Sequence, residues 1–168
     1  MMDDLIYNQR QIPKDQWRYG YRATADTGCG WIATYNALRL LNYRANPASL
    51  IHFYEWQVPF VHGNIGTMAL APMQFFRKHG FEADSTSLEE NFDEMAKRAD
   101  VCILYYRWQK GLRFGAHFVA VQYKDGQFTG YNTYKNSTGP DPYGPSLQEF
   151  VKRQKFFAPV LIAIRDKR

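Results

Sequence analysis

The chain has 168 residues, 45% of them apolar and 17% aromatic, and carries a formal net charge of +5. A chain of this length fits one domain, which hides about 70% of its unfolded surface on folding, so neither disorder nor a stapled mini-protein fits. Lys and Arg are spread over the whole length, and the tightest clusters, Lys152-Arg153-Gln154-Lys155 and Arg165-Asp166-Lys167-Arg168, accompany no nucleic-acid-binding motif, leaving at most a mild preference for acidic partners.

Two cysteines cannot build a disulfide framework. The opening Met1-Met2-Asp3-Asp4-Leu5 has no basic segment followed by an apolar one, so no signal peptide is visible. No apolar run approaches the ~20 residues that cross a bilayer. A soluble cytoplasmic protein is the expectation, and a chain trimmed of its leader would read the same way.

Residues 1–26 are polar and irregular, with Pro13 and Gly20 among many turn formers. Helical spacing starts after Thr27-Gly28 and runs to about Asn42, with Ile32, Tyr35, Leu38 and Leu41 recurring. Pro47 suits the first position of a second helix through Gln57. Pro59 to Gly66 reads as a loop, and a third helix spans Thr67 to His79, ended by Gly80. Ser87 and Glu90 form a capping-box pattern for a fourth helix near 88–98. After Asp100 the pattern changes to strands: Val101–Trp108, Ala116–Tyr123, Gln127–Tyr134 and Val160–Arg165, with a short helix from Pro145-Ser146 to about Lys155. Asp125-Gly126 is a two-residue hairpin signal. The aromatics sit in the periodic segments, where core packing explains them. The expected class is α+β in one domain, residues 1–168, with a helical half at about 27–98 and an antiparallel sheet at about 100–168.

Cys29 falls in the first turn of the first long helix, between Gly28 and Gly30, with Asp26 or Thr27 expected as its cap. Free N–H groups and the helix dipole favour a thiolate there, and the glycines leave room for a substrate carbonyl. The N–H of Cys29 is a candidate oxyanion donor. A small residue at a crowded turn is the bland alternative. Cys102, inside Val101-Cys102-Ile103-Leu104, reads as inert core.

A thiolate needs a base, and the base needs a group that fixes its tautomer. His79 ends a helix, His52 belongs to an amphipathic helix and His62 to a loop; only His117 opens an apolar strand. If Asp125-Gly126 makes a two-residue turn, Lys124 pairs with Gln127, and Asn132 lies opposite Val119 and diagonal to His117. Diagonal neighbours are ~7–8 Å apart, and a one-residue slip reverses the face. A strand-end histidine bonded only to backbone is the alternative.

The segment Gly28-Cys29-Gly30-Trp31-Ile32-Ala33 resembles the nucleophile motif of bacterial peptidases related to bacteriocin-leader-processing (double-glycine) enzymes, a branch of the papain superfamily. Gly63 to Phe81 is similar to the family's loop and middle helix, and His117-Phe118-Val119-Ala120-Val121 with Asn132 is similar to its histidine strand and third member. The resemblance spans about residues 16–134. It implies a papain-like fold, a helical lobe carrying the nucleophile helix against the sheet, and a Cys29–His117–Asn132 triad. Two departures stand out. The family usually has Asp-Pro where this chain has Asn132-Thr133, and its oxyanion glutamine position holds Ala23. Gln16 is the nearest upstream glutamine and the candidate for that role.

The expected chemistry is amide hydrolysis through an acyl-enzyme on a peptide or protein substrate, with no nucleic acid or membrane as partner. No metal or organic cofactor is implied, since no His, Cys, Asp or Glu cluster shows ligand spacing. Transfer of the acyl group to an amine, and a degenerate domain that binds peptides without turnover, are the alternatives. A glycan-binding module ranks last, because the aromatics read as internal.

Overall fold

Residues 5–57 and 68–168 are described in a computed structural model of the chain. The predicted loop Pro59–Gly66 and the predicted helix start at Thr67 lie outside them. Among the described residues, no helix is long and apolar enough to cross a membrane.

The first long helix is two segments, α1 (Thr24–Thr27) and α2 (Cys29–Leu40). Gly28 between them donates to the Thr24 carbonyl at 2.8 Å and accepts from Ile32 at 3.1 Å. The expected side-chain cap from Asp26 or Thr27 is not made; Gly28 itself occupies the cap position. The chain is already wound at residues 24–27, so no extended residue is available to cap. Gly28 is also required sterically. A Cβ there would lie 2.5 Å from Thr24 Cγ2 and 2.8 Å from Trp31 Nε1, and Trp31 is fully buried.

Two further helices follow, α3 (Pro47–Glu55) and α4 (Ala71–Lys78). The Asn46 side chain caps α3 by accepting from the Ser49 N–H. α4 starts at Ala71 because Pro72 fits only in a first turn, and Gly80 at φ +84° lets the chain leave. The expected capping box at Ser87/Glu90 does not form. Thr86 Oγ1 accepts from the Leu88 N–H instead, and a 3-10 turn at Glu89–Asn91 leads into α5 (Phe92–Lys97).

The sheet is antiparallel and six-stranded. Its strands are β3 (Glu82–Thr86), β4 (Val101–Lys110), β5 (Arg113–Lys124), β6 (Gln127–Tyr131), β7 (Asp141–Gly144) and β8 (Phe157–Arg165). They lie in the order β3-β8-β4-β5-β6-β7, and α6 (Leu147–Gln154) joins the last two. A small separate hairpin, β1 (Arg18–Tyr19) and β2 (Arg22–Ala23), precedes α1. The sequence reading missed this hairpin and both edge strands. β3 reads Glu-Ala-Asp-Ser-Thr with little apolar character, and β7 contains Pro142, which only an edge strand tolerates.

Successive strand residues point to opposite faces, and both faces are covered. Ile103, Tyr105, Phe118, Ala120 and Ile162 pack with α2, α3 and α4. Leu104, Tyr106, Val119, Val121 and Leu161 pack with α5 and α6. The class is α+β as expected, with α2, the helix that begins at Cys29, packed on the sheet. The addition is α5, which was grouped with the helical half and instead joins α6 on the far face.

The hairpin after β5 has Asp125 at φ +51° and Gly126 at φ +79°, the two-residue turn read from the sequence. Its register, Lys124 with Gln127 through Ala120 with Tyr131, is the expected one. Pairing stops there. Asn132 turns to φ +71°, so the strand expected to reach Tyr134 ends at Tyr131.

Candidate active site

Cys29 is the first residue of α2 and is partly buried against the α2-side core. The backbone N–H groups of Phe118 in β5 and of Cys29 and Gly30 at the helix start favour the charged form of the Cys29 sulfur. Burial outweighs them. It pushes the thiol up to about 11, with these three N–H groups pulling the other way. Desolvation thus opposes the thiolate that the helix start favours. Cys102 is buried as well and pushed up to about 12 by burial alone. Cys29 differs from Cys102 in being only partly buried and in having three backbone N–H groups that favour its charged form.

His117 precedes Phe118, and its Nε2 lies 2.7 Å from the main-chain carbonyl of Asn132. A carbonyl only accepts, so Nε2 carries the proton and Nδ1 holds the lone pair. Burial lowers the pKa of His117, opposed by this hydrogen bond. The neutral imidazole therefore keeps its free lone pair on Nδ1. The ring also meets the Tyr106 ring edge-on at 5.8 Å. The phenol of Tyr106 is pushed up first by burial and next by the nearby Cys29.

Asn132 contacts His117 through its backbone, whereas the sequence reading assigned that contact to its side chain. The side chain is 97% buried and turned to the N-terminal segment, where Oδ1 accepts from the Gln9 N–H at 2.9 Å and Nδ2 donates to Gln9 Oε1 at 3.1 Å. The left-handed backbone at Asn132 causes the exchange, because it rotates the side chain out of the strand's alternation. The loop beyond is pinned by Thr133 Oγ1 to Tyr143 Oη at 2.6 Å and by Asn8 Nδ2 to the Lys135 carbonyl at 2.8 Å.

Gln16, the candidate oxyanion donor, is exposed in a turn closed by its N–H on the Pro13 carbonyl at 3.0 Å. It is not among the residues lining the cavity over His117. Ala23 ends β2 and leads into α1. Gln9 is the residue that sequence reasoning missed. Its only signal was Asn8 before it, whose side chain caps the turn at Gln9–Gln11.

A cavity of about 420 Å³ lies over His117 and Asn132. Tyr106, Trp108 and Phe156 form apolar wall, and Arg10, Lys110, Lys135 and Lys155 stand against a single acid, Asp26. A larger cavity of about 600 Å³ lies between α3 and α4 and contains none of Cys29, His117 or Asn132. Of these two cavities the smaller one holds the imidazole, and Cys29 lines neither.

No family model matches the chain, and no curated protein matches it. Among solved structures, it is similar to the peptidase domain of Streptococcus ComA, a bifunctional ABC transporter involved in quorum sensing. The likeness covers 80% of this chain and 90% of that one, at a TM-score of 0.53 and 17% identity. The chain therefore shares the α+β fold of that domain.

Proposed function

We propose that the chain is a papain-like cysteine peptidase, with Cys29 as nucleophile and His117 as general base. What carries this reading is Cys29 at the start of α2, where the backbone N–H groups of Phe118, Cys29 and Gly30 favour its charged form, together with His117, the residue before Phe118, whose Nε2 is fixed by the Asn132 carbonyl. The fold shared with a peptidase domain supports it.

The chemistry follows from two neutral groups. As Cys29 Sγ attacks the scissile carbonyl carbon, its proton passes to His117 Nδ1. The S–C bond forms, and the oxyanion meets the N–H groups of the helix start, which replace the missing glutamine donor. The C–N bond then breaks, with the proton going from His117 to the departing amine. Water, deprotonated by the same nitrogen, cleaves the thioester and frees Cys29. Asn132 serves through its carbonyl, holding Nε2–H so that Nδ1 stays basic.

Hydrolysis of peptides by the wild type, Cys29→Ala, His117→Ala and the double variant tests the reading. Each single change should remove most turnover and the double should be little worse, since members of one catalytic unit are non-additive. Additive losses, or turnover surviving Cys29→Ala, would overturn it. Product analysis with an added amine separates hydrolysis from acyl transfer. A second reading, peptide binding without turnover, is favoured by the strongly protonated thiol; it takes first place if peptides bind and stay whole.

A further inference from the structure

We infer that Gln9 is a positioning residue for His117, an inference that rests on the reading of Cys29 and His117 as a catalytic pair. The ring is held at Nε2 by the Asn132 carbonyl, and that carbonyl is useful only if its peptide plane is fixed. Asn132 sits in the left-handed region, which asparagine enters more readily than other non-glycine residues, so the backbone conformation alone does not fix the side chain. Contacts from outside its own loop hold it, and Gln9 makes two of them.

The hydrogen bonds are mutually determined. The Gln9 main-chain N–H can only donate, so Asn132 presents Oδ1 to it and Nδ2 to the Gln9 side chain. Gln9 must therefore answer with Oε1. Its Nε2 is left for the Ala25 carbonyl at 3.1 Å, which can only accept. Each amide orientation dictates the next, from α1 to the histidine's anchor. One residue thereby ties the entry of the nucleophile helix, four positions before Cys29, to the loop that orients the base. The segment carrying Gln9 is fastened on its other side by Ile6, which exchanges two 2.8 Å hydrogen bonds with the fully buried Asn36 of α2. This arrangement also accounts for Asn rather than Asp at position 132. A second carboxylate oxygen would face Gln9 Oε1, and turning the Gln9 amide to relieve it would break the bond to Ala25.

Nitrogen-15 NMR of the His117 side chain reads this directly, because it reports the tautomer without needing turnover. The wild type should show one Nε2–H tautomer. Gln9→Met, of similar length but without the amide, should show a mixture. It should also lower kcat on the order of tenfold, with little change in KM, for a peptide that the wild type cleaves through Cys29. Gln9→Glu keeps the acceptor for Asn132 Nδ2 but sets a carboxylate oxygen against the Ala25 carbonyl, so it should show a mixture as well. A Gln9→Met protein with a single Nε2–H tautomer and wild-type kcat overturns the inference while leaving the hydrolase reading intact. Tautomer mixing in a protein whose wild type cleaves nothing does the reverse. If Gln9→Met does not fold, the wild type still decides: the Asn132 side-chain amide must be protected from hydrogen exchange, and exchange at the rate of a free amide overturns the inference.

Discussion

Gly130 in β6 couples the far core to the loop that carries Asn132 and Thr133, and Gly130→Ala measures that coupling. A Cβ at this position would stand 1.9 Å from Tyr143 Oη, 2.1 Å from its Cζ and 2.6 Å from Thr133 Oγ1. The Tyr143 ring cannot step back, because it is buried and stacked on Phe150 with centroids 3.6 Å apart. Overpacking a rigid core site costs about 1–3 kcal/mol. Tyr143 can move only by giving up its 2.6 Å bond to Thr133, and leaving two buried hydroxyls unpaired adds roughly 1–3 kcal/mol. The expected loss is about 4 kcal/mol, or on the order of 10 °C in Tm for a domain of this size. Urea unfolding of Gly130→Ala beside Gly139→Ala is the assay. A Cβ at Gly139 meets nothing within 4 Å, so that control should stay within about 0.5 kcal/mol of wild type. If the two variants unfold alike, the packing argument for this loop is wrong.

Gln16→Ala should leave turnover and stability unchanged, because Gln16 is exposed and away from the cavity; a loss of about two orders of magnitude would restore it as an oxyanion donor. Acid should destabilise the fold through His117. Burial lowers its folded pKa below the unfolded value of about 6.5, so the unfolded chain binds the proton first. Stability then declines as pH falls through about 6.5 and levels off once the folded form is also protonated. His117→Gln should lack that limb in urea unfolding measured across pH, and an unchanged profile would remove His117 as its source. The four cations around the cavity, against Asp26 alone, should favour acidic peptides over basic ones of equal length, and this preference should shrink with added salt; equal cleavage at low salt would count against the electrostatic reading.

What could be read from the sequence was local. The Asp125-Gly126 turn fixed the β5–β6 register, and the glycines around Cys29 marked the start of a helix. Edge strands were harder, because β3 and β7 lack the apolar alternation that marks a half-buried strand. Asn132 shows the limit most clearly. Register placed it near His117, but whether side chain or carbonyl would face the ring depended on a left-handed backbone that alternation does not encode. Gln9 was illegible for a different reason, since its partner lies 123 positions away. At Cys29 the helix start favours a thiolate while burial raises the thiol's pKa, and the second influence is set by packing that local sequence does not encode.

The most direct measurement is acid quenching of a reacting mixture within the first turnovers, followed by mass spectrometry of the cysteine-containing peptides. Cys29 should carry the acyl portion of the cleaved peptide as a thioester while Cys102 stays unmodified, and His117→Ala should abolish the adduct. Cleavage that proceeds with no acyl group on Cys29, or an adduct on Cys102 instead, would contradict the assignment of the nucleophile.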